Sequence, residues 1–183
     1  PYVAFAGVRQ IAAGALADIL PVLKPRFDTD SSDLVLVFDV DTGQQVDFDL
    51  RGTLAEVLAR ALPGSARGPG RPKLGVTSRE VSLLPRHWEW LEAQPNGISA
   101  ALRRLVEQAA KSNPGKERAR RTRAALSRFL LSMAGDRPNY EEACRALFAG
   151  ETARFEALVR KWPKDIRDHA IHQAREAAGA EAR

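Results

Sequence analysis

The sequence predicts an α+β fold: a small strand–helix–hairpin–helix domain at the N-terminus, a central strand–helix–helix unit, and a helical C-terminal region. Three observations carry this. Leu34–Phe38, the turn residues Asp41-Thr42-Gly43-Gln44 and the alternating run Gln45–Leu50 read as strand, turn, strand. Beyond residue 98 the apolar residues recur at spacings of three and four, the period of an amphipathic helix. Between the two, residues 63 to 73 hold three Pro and three Gly, which no element interior tolerates.

Along the chain, Val3–Ala12 mixes apolar and β-branched residues and reads as a first strand bent at Gly7. Leu16, Ile19, Leu20 and Leu23 then mark a short amphipathic helix, with Pro21 at its first turn or at a kink. The hairpin follows, and Thr53 with Glu56 forms a capping box opening a helix through Leu62. These elements make an N-terminal domain of residues 1–62, and a basic Gly/Pro linker spans 63–75. Residues 76–111 then read as a lone strand, a helix carrying Trp88, Trp90 and Leu91, and a second helix with Ser99 as N-cap and a stripe of Leu102, Leu105, Val106 and Ala109. Ser112-Asn113-Pro114-Gly115 opens a basic linker over 112–123. Residues 124–183 carry helical stripes through Leu126, Phe129, Leu130 and Met133, through Tyr140, Ala143 and Leu147, through Phe155, Leu158, Val159 and Trp162, and, after Pro163, through Ile166 and Ala170.

The net charge of +5 is unevenly spread. Residues 1–66 carry five Lys/Arg against nine Asp/Glu, residues 67–128 fourteen against five, and residues 129–183 nine against nine. A middle third of net charge +9 is the electrostatic footprint of a nucleic-acid binder; a solvated basic surface is the plainer reading. No run approaches the ~18 apolar residues of a membrane span, no secretion-type leader is visible, and the single Cys144 suits a reducing compartment. The expected location is therefore the cytoplasm, at the nucleoid.

The lone strand near residues 79–84 has backbone donors and acceptors that need a partner. Pairing with the same strand of a second copy meets that need and yields a two-stranded ribbon that fits the major groove. The alternative is an edge strand added to the N-terminal sheet. In the first reading Val81, Leu83, Trp88, Leu91, Leu102, Leu105 and Val106 form the dimer core. Arg67, Arg71, Lys73, Arg79, Ser82, Arg86, Ser99, Arg120, Arg121 and Arg123 then face nucleic acid, through phosphate contacts, a helix N-terminus, or a groove.

Other clusters point to no chemistry of their own. Asp39, Asp41, Asp47 and Asp49 lack the loop of a calcium site and read as hairpin polarity. His169 and His172, with Asp165 and Asp168, share one helical surface but lack a third strong ligand, so solvated or capping histidines are expected. Cys144 sits among core positions. With no nucleophile–base pair, phosphate loop or dinucleotide fingerprint, neither an enzyme nor a cofactor is expected.

At Val81–Pro85, Gly97-Ile98-Ser99 and the helix stripes, roughly 35 residues resemble the ribbon-helix-helix repressors, which implies a DNA-binding dimer. Neither strand register turns strong base-reading residues outward, so a weak or shape-based sequence preference is expected. Gly70-Arg71-Pro72-Lys73 resembles an AT-hook core, with Pro69 where that motif prefers arginine; the resemblance implies insertion of Arg71 into a narrow minor groove. Over nearly its whole length the chain also resembles a bacterial family known as domain of unknown function 2239. That resemblance rests on Phe5-Ala6-Gly7, Phe38-Asp39 with Thr42-Gly43, Asp47–Gly52, Gly70–Gly75, Arg79–Pro95, Met133–Asp136, Ala146–Gly150, Trp162-Pro163 and Arg167-Asp168-His169. The expected function is thus DNA binding as a homodimer, in transcription regulation or nucleoid association, with double-stranded DNA as partner and no membrane. The C-terminal helices leave room for a further protein partner. The alternative is an interaction scaffold whose basic middle docks an acidic protein.

Overall fold

A strand whose successive side chains are all apolar has two faces to cover, and Tyr2–Ala6 (β1) is such a strand. In the computed structural model, which describes residues 1–29, 34–62, 77 and 79–182, β1 is the centre of a three-stranded antiparallel sheet. It lies between Arg9–Gly14 (β2) and Val35–Asp39 (β3). The strand expected over Val3–Ala12 is therefore two strands. Gly7, at φ +57°, adopts a left-handed conformation that lets the chain reverse rather than bend.

The two faces of the sheet belong to different cores. Ala4 and Val37 pack with Ile19, Leu20, Leu23 and Val57, which come from the helices Leu16–Asp28 (α1) and Leu54–Ala61 (α2). On the opposite face Val3, Phe5 and Phe38 join Leu126, Phe129, Leu130, Phe155 and Ile166 of the C-terminal helices. The period of two along β1 and β3 thus assigns alternate residues to alternate layers. For this reason the N-terminal region is not a separate domain: one compact unit comprises Pro1–Gly64 and Gly115–Arg183, and a second comprises Ser65–Pro114.

Helix α1 keeps its course through Pro21 and Pro25, both in its interior. Each proline removes a hydrogen bond at a cost of up to about 3 kcal/mol; burial of Ile19, Leu20 and Leu23 on the sheet offsets that loss. At α2 the capping box forms as expected: Thr53 N–H donates to Glu56 Oε2 at 2.7 Å, and Glu56 N–H donates to Thr53 Oγ1 at 3.4 Å. The hairpin after β3 closes only at its turn. Phe38 bridges Gln45, and Val46 N–H donates to the Val37 carbonyl at 2.8 Å, but Asp47–Leu50 forms no strand. Gly43 makes that turn possible at φ +68°; a Cβ there would lie 1.9 Å from the Ala125 carbonyl oxygen.

In the second unit, Pro85–Glu92 (α3) and Ile98–Ser112 (α4) are the two helices expected. Gly97 caps α4, and Ser99 sits one position inside it. The residue before the helix needs φ +79° here, which glycine supplies and serine resists. Residues 79–84 carry no regular secondary structure, and the sheet has no fourth strand among the described residues. The edge-strand alternative is thus corrected: among the described residues β2 pairs only with β1, and β3 meets only the Gln45 bridge on its outer side. A ribbon strand, by contrast, pairs only with its symmetry mate, and one chain supplies none.

The basic linker expected over 112–123 is instead the first half of a long helix, Pro114–Ala134 (α5). Pro114 suits the first helical position, where its missing N–H costs nothing, and the Lys, Glu, Arg and Ala residues that follow are strong helix formers. Tyr140–Ala149 (α6), Thr152–Leu158 (α7), a short 3₁₀ turn at Val159–Lys161 and Lys164–Glu181 (α8) complete the chain. No helix among the described residues is long and apolar enough to cross a membrane.

Candidate nucleic-acid interface

Helices α3 and α4 are too small to enclose a core. Of their residues only Leu91 and Ala101 are buried. Leu83, Trp88 and Leu102 are half-buried. Val81 remains 57%, Leu84 50%, Trp90 49% and Val106 66% exposed, and Leu105 is exposed as well. Of the seven residues expected in a dimer core, Val81, Leu105 and Val106 are exposed, Leu83, Trp88 and Leu102 half-buried, and Leu91 buried.

The expected nucleic-acid contacts divide into three groups. Arg67, Arg71 and Lys73 lie outside the described residues. Arg79 and Ser82 are exposed on irregular chain, Arg86 is exposed on the first turn of α3, and Ser99 is exposed on the first turn of α4. Ser99 makes no side-chain cap, but its position still places it where a helix presents free N–H groups.

The third group lies on α5, and here the structure separates residues that looked equivalent. Arg120 and Arg121 are exposed and both reach Glu117, Arg120 by two bonds of 2.9 and 2.8 Å. Those bonds hold the Glu117 carboxyl below its usual range and raise the Arg120 guanidinium above its own. Surface pairs of this kind contribute little to stability and rearrange readily. Arg123 differs: its side chain is only 13% exposed and pairs with Glu181 of α8. It ties two helices of one core together, so it leaves the group of available phosphate contacts. Arg118, a member of the same basic run, is exposed and 3.9 Å from Glu176.

The acidic hairpin resolves into local structure. Asp39 Oδ1 accepts the N–H groups of Asp41 and Thr42 at 2.8 and 3.1 Å. The Arg51 side chain and then its backbone N–H hold the Asp49 carboxyl down at about 2. Among the described residues no group of three His, Cys, Asp or Glu is placed to hold a metal ion.

Of the two histidines of α8, His172 is exposed, as expected, and His169 departs from expectation: it is half-buried, with its ring 4.6 Å from that of Phe129 and 6.1 Å from that of Phe5. Burial, and then the nearby His172, lower its pKa to about 4, so the imidazole is neutral at physiological pH. With His172, Gln173, Gln10, Tyr2 and Val40 it lines a cleft of about 440 Å³. Asp165 accepts the Gln10 N–H at 2.9 Å, and Asp168 is held ionised by Lys164 and Arg167. Cys144 is half-buried and its thiol pKa is raised by that burial, as a core position implies.

The family described as an uncharacterized protein conserved in bacteria, DUF2239, matches residues 1–174. The chain belongs to this family. No curated protein and no solved structure matches it. The DUF2239 family match spans both compact units, so the central helices and the sheet-and-helix unit are parts of one family architecture.

Proposed function

We propose that this DUF2239 protein binds double-stranded DNA as a homodimer through its central segment. One observation carries the reading: five large apolar side chains (Val81, Leu84, Trp90, Leu105, Val106) are exposed within the third of the chain whose net charge is +9. A second copy would cover them with the same residues in return. Within the same unit Arg79, Arg86, Arg103, Arg104 and Lys111 are exposed, and on α5 so are Arg118, Arg120 and Arg121; each set offers cations for phosphate.

Specificity is weak in this reading. Ser82 is the one short hydrogen-bonding side chain between Arg79 and Leu84, beside Glu80 and three apolar residues. Affinity then comes from counterion release, with Arg71 in an A·T-rich minor groove adding a preference based on groove width. Regulation of transcription and nucleoid association both follow from such binding, and a nucleoid location belongs to the same proposal.

Electrophoretic shift with A·T-rich and G·C-rich duplexes of equal length tests it. The expected result is retardation of both at low salt, with the A·T-rich duplex bound more tightly and both complexes weakened as salt rises. An unshifted duplex at low salt refutes DNA binding. Capture of an acidic protein that persists after nuclease treatment would support the scaffold instead.

A further inference from the structure

An asparagine can react with its own backbone: the nitrogen of the next residue attacks the side-chain carbonyl carbon and closes a five-membered ring. The residue that follows decides how readily this happens. The chain has three asparagines, followed by Gly97, Pro114 and Tyr140. Pro114 has no N–H with which to attack. Tyr140 crowds its nitrogen with a side chain, and its N–H donates to the Arg137 carbonyl at 3.2 Å. The Asn139 amide is also tied to another element, since its Nδ2 donates to the Leu158 carbonyl at 3.4 Å.

Asn96 differs on each count. It is exposed in the turn between α3 and α4, and among the described residues its side-chain amide forms no hydrogen bond. Its successor leaves the attacking nitrogen uncrowded: even a Cβ on Gly97 would have no neighbour within 4 Å. Gly97 is the N-cap of α4, so its carbonyl accepts the Ala101 N–H while its own N–H stands outside the helical ladder. That N–H donates only a long 3.4 Å bond to the Gln94 carbonyl. Both residues have left-handed backbones, at φ +67° and +79°, in a turn rather than in a regular element.

We propose that Asn96 is a self-deamidation site that converts this turn to isoaspartate. The Gly97 nitrogen bonds to Asn96 Cγ, the Cγ–Nδ2 bond breaks, and the side-chain nitrogen leaves as ammonia with the proton that Gly97 gives up. Water then opens the ring. Attack at the main-chain carbonyl gives isoaspartate, with the chain rerouted through the side chain and lengthened by one methylene; attack at Cγ gives aspartate. Either product sets a carboxylate beside the N-terminus of α4, whose first turn holds no acidic residue and where an anion is favourable. The proposal is independent of DNA binding.

Incubation of the folded full chain in mildly alkaline buffer, followed by tryptic peptide mapping, tests it, since each asparagine falls on a different peptide. The expected result is a progressive mass gain, from exchange of NH2 for OH, confined to the peptide of residues 87–103. The same peptide should accept methyl groups from S-adenosylmethionine in the presence of an L-isoaspartyl methyltransferase. Mildly acidic buffer should slow the reaction, because the attacking nitrogen must lose its proton. Asn96→Gln, which would have to close a six-membered ring, should remove both signals at an unchanged circular dichroism spectrum. No mass gain in that peptide overturns the proposal, as do equal gains at Asn113 or Asn139, or methyl acceptance that survives in the glutamine variant. Deamidation of the urea-denatured chain alone would mean that the fold protects the amide, and overturns it as well.

Discussion

Acidification should destabilise this protein through His169 before its carboxylates contribute. The imidazole has an ordinary value of 6.5 and about 4 in the folded state, because it is packed against Phe129 and Phe5. The sign follows from proton binding. Between those two values the unfolded chain takes up a proton that the folded chain refuses, so stability is full above pH 6.5 and is lost as pH falls toward 4. Each pH unit in that interval costs ~1.4 kcal/mol, and the whole displacement is worth about 3 kcal/mol. The carboxylates with lowered values, Asp49, Glu56, Glu117, Glu156 and Asp168, act at lower pH, since their stabilisation is retained until the unfolded carboxylates protonate. Urea denaturation between about pH 6.5 and pH 5 therefore isolates the histidine: the wild type loses about 2 kcal/mol over that interval, and His169→Gln, although less stable at neutral pH, loses little. Equal losses in the two proteins would refute the assignment, as would an NMR titration placing the His169 ring near 6.5.

Three further outcomes test the packing and the association. Thr53→Ala removes the acceptor for the Glu56 N–H at the start of α2 and should cost about 1 kcal/mol in chemical denaturation. Gly43→Ala places a Cβ against the Ala125 carbonyl at a positive φ, with backbone on both sides of the contact. It should destabilise by more than about 3 kcal/mol, read as a large fall in melting temperature. Val106→Glu puts a charge on the uncovered face of α4 and should convert a dimer to a monomer in light scattering at unchanged helicity, whereas a wild-type monomer at high concentration would remove the dimer from the account.

Much of the fold is legible in the residues themselves. Thr53 and Glu56 announce α2 because a capping box uses chemistry that is local to four residues. The Leu16–Leu23 stripe announces α1 despite two prolines, since the buried face outweighs the lost hydrogen bonds. What escapes is decided by distant partners. Gly7 fits a bent strand or a turn equally well, and only pairing of β1 with β2 selects the turn. Asn113-Pro114-Gly115 reads as a breaker, but proline at a helix start is a beginning as much as an end, so the basic run fell into a linker instead of α5. Arg120 and Arg123 look alike in sequence; Glu181, far along the chain, removes one of them from the surface. His169 had a visible signal, for it stands three residues after Ile166 and four before Gln173 on the inner side of α8. Its burial depends on Phe5 and Phe129 arriving from elsewhere. The central unit is legible as two helices and a basic segment, whereas the apolar run before α3 reads as a strand in sequence and carries no regular secondary structure.

The central claim is tested most directly by the salt dependence of binding to a labelled duplex, followed by fluorescence anisotropy from about 50 to about 200 mM salt. The account predicts a linear fall of the logarithm of affinity with the logarithm of salt concentration, with a slope of several phosphates per dimer. That slope should be reduced by about one for each exposed arginine replaced in a protomer, Arg86, Arg120 or Arg121 alike, and unaffected by replacing the buried Arg123. No binding at the lowest salt, or a slope that Arg123→Gln reduces while Arg120→Gln and Arg121→Gln do not, would contradict it.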